Sequence, residues 1–266
     1  MAWMLLLLLA AASKVVGQDA QPVDILPDPP VVEAVGPAPI PYERPISWPR
    51  LFPNIAQDQK NIWLFPLKLR HKNILIPTAA VVATTAALIA LDPRDTPYFR
   101  RTADFHGFDH IFTGRVMAVG TMSAPAAMYL TGLRRRDSKM QNTALLAAEA
   151  LADVEILSIP MKDIARRERP SAIPPNGNFS NSWFEDNHHP GFSDGSFPSG
   201  HTIGAFAVAT VSARRYRNHR WVPYAAYGLA TLVGFSRLTL SAHFPSDVFV
   251  GAVLGYSVSR FAVLRE

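Results

Sequence analysis

Cysteine is absent from this chain of 266 residues, and its absence excludes disulfides, thiolate zinc sites and cysteine nucleophiles. Any metal site would have to be built from histidines and carboxylates. A strong charge imbalance is lacking too. The formal net charge is +5 and the pI near 9.6, mildly basic values that suit phosphate-bearing substrates, an anionic membrane surface or nucleic acid without choosing among them. Apolar residues make up 48%, ordinary for a globular protein and low for one wholly sunk in lipid. The length holds one substantial domain, or one domain plus an extended segment.

The N-terminus lacks the positive region that usually opens an export signal, since Lys14 follows the apolar block Leu5 to Leu9. That block runs into Ala10 to Ala12, and residues 1–17 read as a secretory signal peptide, with cleavage after Ala12 or Gly17. Ten prolines then fall in the 32 residues from Pro22 to Pro53. Proline at that density blocks helix and sheet ladders and favours extended chain. From Asp58 to Arg70 a basic and aromatic stretch with Trp63, Leu64 and Phe65 suits either a membrane interface or a segment packed on the core. Residues 18–70 are therefore expected to be a proline-rich tether and interfacial segment, and 71–266 a helical domain.

Six apolar stretches follow, at 73–91, 115–132, 142–162, 200–213, 222–240 and 247–264. At 1.5 Å per residue, 19 helical residues reach about 28 Å, close to the hydrocarbon thickness of a bilayer. The third stretch carries Glu149, Asp153 and Glu155, and carboxylates at membrane depth face a bundle interior. Basic clusters at Lys68, Arg70 and Lys72, at Arg134 to Arg136 with Lys139, and at Arg214, Arg215, Arg217 and Arg220 all fall on one side of a six-pass bundle. The positive-inside rule makes that the cytoplasmic side. Loops 163–199 and 237–246 then share the opposite side. A cleaved signal peptide would leave the mature N-terminus outside, whereas the clusters put Lys68 to Lys72 inside. The alternative to a membrane bundle is a soluble or peripheral helical domain in the periplasm.

Those two loops hold the chemistry. Lys162 is followed after six residues by Arg169-Pro170; then come Pro198-Ser199-Gly200-His201; then Ser236-Arg237, five residues, His243, three residues and Asp247. Each block alone is weak, since a Pro-Ser-Gly is usually a turn. Together they point to phosphoryl chemistry, where positioned cations and hydrogen-bond donors stabilise the transferring group. Lys162, Arg169 and Arg237 supply the cations, and guanidinium forks match phosphate oxygens. Ser199 stands at a helix start as its N-cap, where backbone N–H groups near Gly200 would face an anion.

In this order the three blocks resemble the signature of the type 2 phosphatidic acid phosphatase superfamily, which also includes bacterial class A acid phosphatases and vanadium haloperoxidases. The pattern K-x6-R-P, P-S-G-H, S-R-x5-H-x3-D is met at every specified position, and the resemblance covers about residues 60 to 266. It implies an all-α, six-helix bundle, membrane-embedded, with the active site at one end. It also implies a metal-independent phosphatase with no cofactor, acting on a lipid phosphate or isoprenoid diphosphate through a phosphohistidine. By the family pattern His243 is the nucleophile, Asp247 fixes its tautomer through the second ring nitrogen, and His201 protonates the leaving oxygen and then activates water. Lys162, Arg169, Ser199, Gly200 and Arg237 bind the phosphate. Asp247 also has a plainer role open to it, because Pro245 opens the last helix and makes Asp247 an acid in the first turn.

The resemblance further implies a bacterial cell envelope, with a multi-pass inner-membrane protein whose site faces the periplasm. Its partners are then a phosphorylated lipid or small phosphoester and the membrane, and not nucleic acid. A soluble periplasmic acid phosphatase on small phosphomonoesters is the second reading, and a vanadate-dependent haloperoxidase a distant third. His188 and His189 read as solvated loop residues, His106 and His110 as part of a polar interfacial loop, and His71 and His219 as basic flanks.

Overall fold

The structure is a computed structural model that describes residues 44–68, 72–185 and 195–265. The signal peptide expected at 1–17, most of the proline-rich segment, and His71, His188 and His189 lie outside the described residues. Among the described residues the chain is all-α with no strand. A 3-10 turn, Trp48–Arg50, leads into α1 (Leu51–Trp63). The remaining helices are α2 (Lys72–Arg101), α3 (His106–Ile111), α4 (Gly114–Arg135), α5 (Ser138–Ala165), α6 (Gly200–Arg215), α7 (Trp221–Thr239) and α8 (Pro245–Ser257), the last running into a π turn, Val258–Val263. Each of the six apolar stretches forms a helix. The two short helices α1 and α3 were not foreseen as helices.

Local chemistry sets the boundaries. Thr113 caps α4 by accepting the Val116 N–H at 3.2 Å, and Asp137 caps α5 through Met140 N at 2.9 Å. Helices α4 and α5 end on Arg136 and Arg166, both left-handed, at φ 55° and 42°. Helices α5 and α6 share the main apolar core: Leu146, Ala147, Ala150 and Val154 meet Ile203, Ala207 and Val211, with Val258 and Val263 closing it from the π turn. Small residues let α6 and α8 approach closely. A Cβ on Gly251 would lie 2.9 Å from the Ser199 carbonyl, and one on Gly255 would collide with that of Ile203. This crossing ties the start of α6 to the start of α8.

The proline-rich stretch enters the fold earlier than a tether would. Arg44 is buried and ion-paired to Asp58 on α1 and to Glu149 on α5, and Gln59 donates to Asp153 at 2.9 Å. Glu149 and Asp153 are buried and Glu155 is half-buried. Trp63, Leu64, Phe65 and Leu67 are exposed, so the first half of the stretch after Asp58 packs and the second half faces outward.

The outer helices differ from the inner ones. Among the described residues two helices are long and apolar enough to cross a membrane by length and composition, Ile74–Arg101 and Gly114–Arg135. Their best 18-residue windows have mean hydropathy 2.2 and 1.3, with 0% and 11% of each window buried. The two ends of the bundle also differ. Lys139 sits 5.0 Å from the Tyr216 ring and Arg215 Nε donates to Thr143 Oγ1 at 3.3 Å, which joins two of the basic clusters at one end. Lys162 is at the other end of α5, about 35 Å away at 1.5 Å per residue.

Candidate active site

At that far end the three sequence blocks meet. Arg166, left-handed, turns the chain out of α5 just past Lys162. A Cβ on Gly200, at the start of α6, would stand 3.5 Å from Lys162 Nζ. Ser199 N–H donates to the Asp247 carbonyl at 3.1 Å, and His243 Nδ1 lies 2.7 Å from the Ser196 carbonyl. The Arg169 charge acts on both His201 and His243, and the His243 ring acts on that of His201. Arg237, at the end of α7, is buried and donates through Nη2 to the Phe112 carbonyl at 2.8 Å, its Nη1 lying near Gly114. The residues singled out in the sequence thus come together at the end of α5, the starts of α6 and α8 and the end of α7: Ser199, His243 and Asp247 meet there, Lys162 stands beside Gly200, His201 and Arg237 meet at Gly114, and the Arg169 charge acts on both histidines.

The two imidazoles are held in defined tautomers. A carbonyl only accepts, so the proton of His243 is on Nδ1 and the lone pair on Nε2. By the same argument His201 carries its proton on Nε2, which donates to the Gly114 carbonyl at 2.9 Å. Burial pushes the His243 ring below its usual range; the Asp247 carboxylate pulls upward, and the charges of Arg169 and Lys162 push it down. Neutral at physiological pH, the ring keeps its lone pair available.

Two expectations need correction. Asp247 is not the group that fixes the His243 tautomer: its Oδ2 stands 3.8 Å from Nδ1, beyond hydrogen-bonding distance, and the Ser196 carbonyl takes that place. The carboxylate is drawn off by Arg167 Nη1 at 2.6 Å and by the Phe244 N–H at 2.8 Å, the latter being the first-turn role that Pro245 made available. Ser199 does stand just before α6, yet its hydroxyl pairs with Thr202 Oγ1 at 2.9 Å and does not cap the helix backbone.

Residues not read from the sequence complete the site. Arg167 is hidden inside the six-residue spacer between Lys162 and Arg169. It is 1% exposed and bonded to Asp92, Ser246 and Asp247, with its guanidinium carbon 3.7 Å from the centre of the Phe244 ring. Asp92 escaped notice because the first apolar stretch was ended at Leu91; a carboxylate directly following such a stretch was the available signal. Ser196 and Gly114 act through backbone carbonyls, which no side-chain pattern reveals. His106, His110 and His219 are exposed and stay outside the cluster.

The family model of the PAP2 superfamily matches residues 142–265, the span that carries all three blocks. Those residues are a PAP2 superfamily domain. The lipid A 1-phosphatase of Porphyromonas gingivalis is 41% identical over 71 residues, 26% of this chain and 16% of that protein. The undecaprenyl-diphosphatase BcrC of Bacillus subtilis is 39% identical over 79 residues, 28% of this chain and 39% of that protein. The chain therefore spans well under half the length of these curated relatives. The crystal structure of Aquifex aeolicus LpxE is similar at a TM-score of 0.42 and 24% identity, over 66% of this chain and 93% of that one. The PAP2 match begins within α5, so α1 to α4 lie outside it, although Asp92, Phe112 and Gly114 from that part reach the site.

Proposed function

We propose that this protein is a metal-independent phosphatase that hydrolyses a lipid phosphate or isoprenoid diphosphate in the envelope membrane of a bacterium, through a phosphohistidine. What supports the reading is a pair of imidazoles with defined ring nitrogens, His243 with its lone pair on Nε2 and His201 with a proton on Nε2, and the charges of Lys162, Arg169 and Arg237 that act on them. His243 Nε2 attacks phosphorus as the bond from phosphorus to the leaving oxygen breaks. His201, protonated on both ring nitrogens once the anionic substrate is bound, turns its Nε2–H from the Gly114 carbonyl to that oxygen, gives up the proton and is left as the neutral ring. His201, now with a lone pair on Nε2, takes a proton from water as the water oxygen attacks phosphorus. The P–N bond breaks, phosphate leaves, and both rings return to their starting forms. Lys162, Arg169 and Arg237 offset the charge on the equatorial oxygens, and the start of α6 directs its N–H groups at them.

Membrane embedding is supported by the uncovered apolar helices α2 and α4 and by basic clusters lying about 35 Å from Lys162 along α5, a bilayer's depth away. With the basic end cytoplasmic, the site opens on the periplasmic side. The relatives act on lipid A and undecaprenyl diphosphate by their names, and an envelope lipid of this kind is the substrate class proposed here. Phosphate release from phosphatidate, undecaprenyl diphosphate, lipid A and a small aryl phosphate tests it. The lipids should be cleaved in preference to the aryl ester, with vanadate inhibiting and EDTA not, and His243→Ala should lose at least a thousandfold. Activity that vanishes in EDTA and returns with a divalent metal, or survives in His243→Ala, sinks the proposal.

A further inference from the structure

Asp247 is the carboxylate nearest the His243 ring, and it is held off. Both of its oxygens are engaged elsewhere, Oδ1 by Arg167 and Oδ2 by the Phe244 N–H. Ser196, which does bond the ring, is itself fixed by the same arginine. Its N–H donates to the Arg167 carbonyl at 2.8 Å and its hydroxyl to the Glu168 carbonyl at 3.1 Å. Arg167 therefore anchors both groups that face Nδ1, one through its guanidinium and one through its backbone.

The guanidinium has little freedom. Nη2 donates to Asp92 Oδ2 at 2.7 Å, Nη1 to Ser246 Oγ at 2.7 Å and Nε to Ser182 Oγ at 3.2 Å, while Trp183 stacks 4.4 Å away. Asp92 comes from α2, beyond the PAP2 match. It also accepts the Ser246 N–H at 3.1 Å, in the first turn of α8. The result is a buried row of alternating charge: Asp92, Arg167, Asp247, then the imidazole.

We propose that Arg167, backed by Asp92, is a positioning residue that sets how strongly Asp247 acts on the nucleophilic His243. This rests on the phosphatase reading of the site. A carboxylate bonded directly to Nδ1 would raise the basicity of the ring and favour its protonated, non-nucleophilic form. Arg167 shares the Asp247 charge, so the resting ring stays neutral. Once Nε2 has bonded to phosphorus the ring is a cation, and the carboxylate at 3.8 Å is its counter-charge. Asp92 moderates Arg167 in turn by holding the other edge of the guanidinium. The remaining charged groups around the ring are Lys162 at the end of α5, Arg169 in the loop after it and His201 on α6. Arg237 on α7 acts on His201.

The test uses the full chain in detergent, with His243 titrated by imidazole nitrogen NMR and kcat/KM followed against pH. In Arg167→Gln, Asp247 is released toward Nδ1, and the ring titration and the acid limb of kcat/KM should both move up by about one unit. Arg167→Lys, which keeps the charge, should stay within a few tenths of wild type. Asp92→Asn, nearly unchanged in shape, leaves Arg167 wholly on Asp247 and should move both downward. A packing role alone would lower yield or kcat in all three and leave the ring titration in place, and that result overturns the proposal. If Arg167→Gln fails to fold, Asp92→Asn decides, and a titration that is unmoved or higher is again fatal. The NMR titration needs no turnover. If wild type hydrolyses nothing, the phosphatase reading fails while the charge row is still tested.

Discussion

Two buried ionic networks join the N-terminal half of the chain to the PAP2 domain, and they are built differently. At the site end, Arg167 stands between Asp92 and Asp247, and all three of its nitrogens find acceptors. Further down α5, Arg44 meets Asp58 and Glu149 beside Asp153, three carboxylates lying within 4.8 Å of one another. There, Asp153 Oδ2 and Arg44 Nη2 have no hydrogen-bond partner. The upper network is balanced by hydroxyls and by the first-turn N–H groups of α8; the lower one has an excess of acid and only Arg44 fully buried against it. Balance accompanies chemistry in this molecule. The network beside the proposed nucleophile His243 is satisfied, while the one that fastens α1 to α5 is not.

Removing each arginine should break this comparison most sharply. Taking one partner from a buried ion pair costs about 3–5 kcal/mol, because the other charge is left uncompensated. Arg44→Ala should therefore lower the thermal midpoint in detergent by several degrees while the folded fraction keeps its kcat, since its partner Glu149 lies about 20 Å along α5 from Lys162. Arg167→Ala should cost comparable stability and also lose activity in the folded fraction by a hundredfold or more. Equal loss of kcat in the two variants would show that the networks do not differ as their geometry indicates.

How much of this was legible in the sequence follows from the same contrast. Six helices were readable because apolar length is a local property, and the three motif blocks were readable because each is contiguous. The joining of those blocks depends on backbone approaches such as Gly251 to Ser199, which no pattern announces. Arg167 lay in an unspecified spacer and Asp92 just past an apolar stretch, and their meeting across about 75 residues is purely tertiary. Asp247 shows the limit from the other side. Its place in the first turn of α8 is as expected, yet which neighbour its oxygens choose depends on Arg167, whose place the motif leaves open.

The α6–α8 crossing offers an intermediate test, because it holds the site without using charge. Gly255→Ala forces a methyl group into the Ile203 carbonyl, and overpacking of this kind costs about 1–3 kcal/mol. The helices should part at the crossing and shift Ser199 relative to Asp247. A fall in stability accompanied by a rise in KM for the phosphate ester, measured on purified protein, is expected. Wild-type KM together with a lowered melting point would mean that the Arg167 network alone fixes the site end.

The smallest effect should have the opposite sign. Asp153→Asn keeps an oxygen to accept from Gln59 Nε2, which sits 2.9 Å from Oδ1. It also removes one negative charge from a cluster that has too many, and it turns the orphaned Oδ2 into an amide that can donate toward Asp58 or Glu149. A buried acceptor without a partner costs about 1–3 kcal/mol, so recovering part of that should raise the melting point by a degree or more, with kcat and KM unchanged. The matching change in the upper network, Asp92→Asn, should lower it, because there the carboxylate already has Arg167 and Ser246. Opposite signs from the same substitution in two buried clusters would show that charge balance, and not burial as such, separates them.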